Sequence, residues 1–98
     1  MQVMHQPRVA WDTARMIGGA FHDEQVFGWL REELANLLGP ATEAALAESR
    51  DRVRRIGDAR LPVETGLWRA RLEDALRHRP ELGAELAGLA SIVRARRP

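Results

Sequence analysis

The residues of this 98-residue chain that could do chemistry are few and scattered. Its three histidines, His5, His22 and His78, sit on separate segments. No two have the four-residue spacing that sets a pair of imidazoles on one helix face for a metal. His22-Asp23-Glu24 gathers three ligand types, but neighbours at a helix start point in different directions, so the cluster reads as a helix cap on a solvated surface. Cysteine is absent, which removes thiolate catalysis, disulfides and cysteine-bound zinc. A nucleophile needs a base and an orienting group. The hydroxyls are Thr13, Thr42, Ser49, Thr65 and Ser91, and none falls in an elbow or dyad motif. Glu32-Glu33 and Glu43 are carboxylates on a solvated helix face. Gly18-Gly19 ahead of a helix could cradle a phosphate with its backbone N–H groups. It lacks the Lys-Ser/Thr and the preceding strand of a P-loop, and reads as an inter-helix turn. These residues point to a chain that is not an enzyme and that needs no metal or cofactor.

One set of side chains stands apart: Arg50, Arg52, Arg54, Arg55 and Arg60. On a helix Arg50 and Arg54 share a face, and Arg52 and Arg55 lie near one another. Such an edge suits phosphates and is the chain's case for DNA or RNA binding. The competing reading is a solvated face neutralised by Glu43, Glu48, Asp51 and Asp58. All 15 basic residues are Arg, and the accompanying Ala and Gly richness fits a high-GC genome better than selection for bidentate contacts. Residues 1–49 hold three Arg against seven acids, a balance of −4, and residues 50–98 hold twelve against seven, a balance of +5. Opposed halves suit self-association or docking on a charged protein, whereas nucleic-acid binders carry a larger uncompensated excess.

The aromatics give the other candidates. Trp29 falls off the main leucine stripe of its helix, where it either completes the core or anchors an interface. Trp29, Phe27 and Trp11 form the candidate interface set, and Trp68, beside Leu67 and Leu72, reads as core.

These side chains must be positioned by helices. Residues 1–7 read as a disordered lead-in, and residues 8–98 as a single domain. A short helix is expected from Arg8 to Ile17, with Val9, Thr13 and Ile17 on one face, broken by Gly18-Gly19. Asp23 caps a second, striped by Val26, Phe27, Leu30, Leu34, Leu37 and Leu38 and stopped by Gly39-Pro40. Pro40 opens a third with a thin face of Ala41, Ala44, Ala45, Leu46, Val53 and Ile56, where Ser49 and Arg50 take places that suit a larger apolar residue. Gly57 ends it, and Asp58 to Pro62 turns the chain. A fourth helix runs from Val63 or Glu64 to Arg77 with Leu67, Trp68, Leu72, Ala75 and Leu76 inward. Pro80 opens a fifth, striped by Leu82, Leu86, Leu89, Ile92 and Val93, with Arg94, Arg96 and Arg97 at its negative end. No segment alternates as a half-buried strand does.

The run Leu72-Glu73-Asp74-Ala75-Leu76, then Arg79-Pro80-Glu81-Leu82-Gly83-Ala84-Glu85-Leu86 and Leu89, resembles a helix–turn–helix pair of the Ala/Leu-rich accessory modules in high-GC bacterial signalling and biological-conflict proteins. The similarity covers about a third of the chain. It implies a small helical adaptor or assembly module without catalysis of its own. Arg79 stands where that pattern has a capping Asp, which implies a weaker cap on the last helix.

The expected fold is therefore all-α, a small bundle of four to five helices with short connections and antiparallel neighbours. The longest apolar run falls short of the roughly 20 residues of a membrane span, and the N-terminus has neither the basic nor the apolar region of a signal peptide. A cytoplasmic location is the expectation. The expected partner is another protein or a second copy, a homodimer first, with nucleic acid as the alternative and no membrane.

Overall fold

The computed structural model describes residues 5–96. The described residues are all-α, with five helices: α1 (Gln6–Ala20), α2 (Glu24–Leu38), α3 (Ala41–Ile56), α4 (Leu61–His78) and α5 (Leu82–Arg96). A 3-10 turn over Asp58–Arg60 joins α3 to α4. There is no strand among the described residues.

Two expectations about α1 change. The lead-in extends less far, because Pro7 lies in the helix's first turn, where its missing N–H is no loss. Met1 to Met4, the rest of that lead-in, lie outside the described residues, as does Arg97. At the other end the helix runs straight through Gly18-Gly19. Gly18 is there because α1 and α4 come close: a Cβ on it would sit 3.0 Å from Thr65 Oγ1. The stacking of Arg69 over Trp11 at the far end makes the two helices antiparallel. α1 packs most extensively on α4, then on α5, while α3–α4 and α4–α5 touch only slightly. The bundle is thus organised around its first helix rather than as consecutive antiparallel pairs. Small residues permit this: Ala10, Ala14, Gly18 and Ala20 are all buried along α1.

The caps behave as their residue types require. The Asp23 carboxylate accepts from the Val26 N–H at 3.1 Å. Asp23→Ala should therefore lower stability by about 1 kcal/mol in urea unfolding, with the helical circular dichroism of the folded state unchanged. α2 and α3 stop at Gly39 (φ +108°) and Gly57 (φ +112°), in an extended mirror region open to glycine and not in the left-handed helical one. α5 begins at Leu82, two residues beyond Pro80. Arg79 ends α4 and donates to the carbonyl of Leu37, placing a cation on the negative end of α2.

One hydrophobic cluster draws on every helix, with Ile17, Phe21, Leu30, Leu34, Leu46, Leu72, Leu76 and Leu86 fully covered. The buried row of α3 is Thr42, Leu46, Ser49 and Val53, and that of α4 is Glu64, Trp68, Leu72 and Leu76. Ala41, Ala44 and Ile56 are therefore exposed, and Leu67, expected inward, is 53% exposed. Ile92 of α5 is likewise turned out, and the buried face of that helix includes Gly83 and Ala90. No helix among the described residues is long and apolar enough to cross a membrane.

Candidate functional site

The arginine edge lies along α3 and the following 3-10 turn, and each of its five guanidiniums meets a carboxylate. Arg50 Nη1 and Arg54 Nη2 both donate to Glu24 Oε1, at 3.2 and 2.7 Å, which clips α3 to the first turn of α2. Arg55 donates to Asp51 one turn earlier, at 2.9 Å. Arg52 and Arg60 converge on Glu64. Of the four acids expected to neutralise this edge, Asp51 pairs with it directly and the charge of Glu48 acts on Arg52. Glu43 lies 3.9 Å from Arg31, and Asp58 Oδ1 lies 2.9 Å from His22 Nε2. Glu24 belongs to the acidic half of the sequence and Arg50 and Arg54 to the basic half, so part of the opposed charge meets inside the chain. The hydrogen bond from Arg54 and the charge of Arg50 lower the pKa of Glu24.

Glu64 is the group that the sequence reading passed over. It lies in the first turn of α4 and is 1% exposed. Its carboxylate accepts from Ser49 Oγ (2.5 Å), Arg52 Nε and Nη2 (2.8 and 2.9 Å) and Arg60 Nε (2.8 Å). Ser49 Oγ in turn accepts from Trp68 Nε1 at 3.0 Å. Four donors satisfy the anion, as a buried charge requires. The Arg52 hydrogen bonds, with those of Ser49 and Arg60, outweigh burial and hold the Glu64 pKa down to about 2. The same pairing raises that of Arg52. The signal was available: Ser49 interrupts the apolar row of α3, and Glu64 heads the row Trp68–Leu72–Leu76 of α4. Two polar residues in core register on two helices are partners for each other. A carboxylate held ionised by two guanidiniums is a poor general acid or base and a good clamp, and here it fastens α3, the turn and α4 together.

The candidate interface residues separate. Phe27 is 2% exposed, edge-on to Phe21 at 5.9 Å, with Arg50 stacked 4.1 Å from its ring centroid. It is a core residue that also steadies Arg50, and it offers no surface to a partner. Trp11 is 41% exposed, with Arg69 beside its ring. Trp29 is half-buried against the core, and Arg96 of α5 lies 5.3 Å from its ring centroid. Trp68 is buried, as expected. The histidines stay apart, and no three His, Asp or Glu side chains converge as a metal would need among the described residues.

The open surface is on α5. One face, Leu82, Gly83, Leu86, Leu89, Ala90 and Val93, enters the core. The opposite face, Ala84, Gly88, Ser91, Ile92 and Ala95, is exposed and carries no charge. Each flank has a hollow. One of about 330 Å³ lies between α1 and α5, floored by Met16, Ala90 and Val93 and rimmed by Asp12, Arg15 and Arg94. The other, a shallow depression of about 360 Å³, is formed by Ala84, Glu85, Gly88, Leu89 and Ile92. Compared with protein-family models, curated proteins and solved structures, the chain matches none of them.

Proposed function

We propose that this chain is a non-catalytic helical protein–protein interaction module that associates with itself. The observation that carries the reading is α5. A helix at the surface of a bundle exposes a polar, usually charged face. From Leu86 to Val93 α5 has no charged residue, yet this fold covers only one of its faces. A second chain completes it. The arginine edge favours this reading over a phosphate-contacting one, because a nucleic acid would first have to displace Glu24, Asp51 and the buried Glu64 from those side chains.

Light scattering coupled to size exclusion, at low and at about physiological salt, tests it. The expected result is a concentration-dependent oligomer that persists in salt, since an apolar contact is little screened. A monomer at both salts and at the highest soluble concentration would overturn self-association.

A further inference from the structure

Self-association leaves open which surface pairs and in what direction, and α5 answers both. Resting on the reading above, we infer that the outer face of α5 packs antiparallel against the same face of a second copy of this chain, about a two-fold axis midway between Gly88 and Ile92. Gly88 and Ile92 lie one turn apart on that face. Ile92 is 44% exposed, and the space where a Gly88 side chain would stand is empty, with nothing within 4 Å of a Cβ there. They are a knob and a notch on one surface. In an isologous pair the two-fold axis exchanges residues equidistant from it. An axis midway between residues 88 and 92 therefore seats each Ile92 in the other chain's Gly88 notch, so both knobs are buried at once. Ala84 and Ala95 flank the crossing and let the helices come close.

Charge selects the direction. Glu85 and Arg96 stand eleven residues apart, about three helical turns, and so on one flank of α5. The antiparallel register brings Glu85 of each chain within about a residue of Arg96 of the other. A parallel pair would set Glu85 on Glu85, Arg96 on Arg96 and Ile92 on Ile92, with the notches unfilled. Opposed helix dipoles favour the antiparallel pair as well. Trp29, under Arg96, borders the contact without entering it. One pair of short helices buries less than a standard protein interface, so the dimer is a weak one.

Sedimentation equilibrium of the full chain from about 5 μM to about 500 μM brackets an interface of that size. Wild type should fit a monomer–dimer equilibrium. Gly88→Leu fills the notch and should raise the dissociation constant at least ~10-fold, as for a central, well-packed contact. Its monomer should melt no lower than wild type, because glycine is a poor helix former and a Cβ at this exposed position meets nothing within 4 Å. Ile92→Asp, which puts a charge in the same contact, should abolish the dimer. Glu85→Arg alone should weaken it, and Glu85→Arg with Arg96→Glu should restore it. A wild-type dimer indifferent to Gly88→Leu and Ile92→Asp would overturn this interface while sparing self-association. Masses growing beyond the dimer would overturn the closed two-fold arrangement. A monomer throughout would overturn both readings.

Discussion

Glu64→Ala is expected to destabilise this protein strongly, with a loss of roughly 3 kcal/mol, the lower end of the range for a buried ion pair because Arg52 and Arg60 keep some contact with solvent. The truncation strands Arg52 and Arg60 and takes an acceptor from Ser49, which itself accepts from Trp68. A domain of this size has only about 5–10 kcal/mol in total. Urea unfolding followed by circular dichroism measures the loss, and a change below about 1 kcal/mol, the worth of a surface pair, would show that the cluster is not a clamp. Glu64→Gln should fall between, since an amide keeps the shape and one acceptor oxygen but neutralises neither guanidinium and turns its NH2 on a guanidinium N–H. The same group sets the acid limb. Its ordinary pKa is 4.5 and its folded pKa about 2, so the folded state holds the proton less tightly than the unfolded chain. Its stabilisation is complete above pH 4.5 and fades as the pH falls from 4.5 towards 2. The shift corresponds to roughly 3 kcal/mol across that window. In Glu64→Gln the decline over the same window should be visibly shallower, with the remainder coming from other carboxylates such as Glu24, whose pKa is also lowered.

The second large effect sits at the crossing of α1 and α4. Gly18→Leu should cost about 3 kcal/mol or more, because the first atom of any side chain there stands 3.0 Å from Thr65 Oγ1, with Leu61 next to it. A longer side chain must push apart the two most extensively packed helices. Gly19→Ala, one residue on, should do the opposite. Gly19 is exposed and helical, so the substitution removes backbone freedom from the unfolded chain and adds up to ~1 kcal/mol. Thermal melts of the two variants should therefore move in opposite directions. Equal, small shifts would mean that the helices do not approach here as described.

The five helices were legible because their signals are local. Asp23 with Val26, the Gly39 and Gly57 stops, and the leucine rows of α2 and α5 act within a few residues of chain. Gly18-Gly19 misled for the same reason. Read locally, two glycines break a helix, but Gly18 is paired with Thr65, distant in sequence. Leu67 and Ile92 misled because a leucine or isoleucine near the edge of a stripe belongs inside or outside only by where the neighbouring helix sits. Phe27 is on the stripe of α2 in sequence and in the core in space, so the aromatic set offered for an interface kept Trp11 and Trp29 alone with exposed surface.

What the sequence by itself determined is the all-helical class, the caps and the charge-free stretch of α5, since each follows from residue type and spacing along the chain. What only the tertiary structure decided is where the arginines go. Arg50 and Arg54 reach a glutamate on α2, Arg52 and Arg60 reach one on α4, and α1 became the helix around which the others pack. Ion pairs and close helix crossings join residues that the chain holds far apart, and periodicity carries no information about which helix faces which.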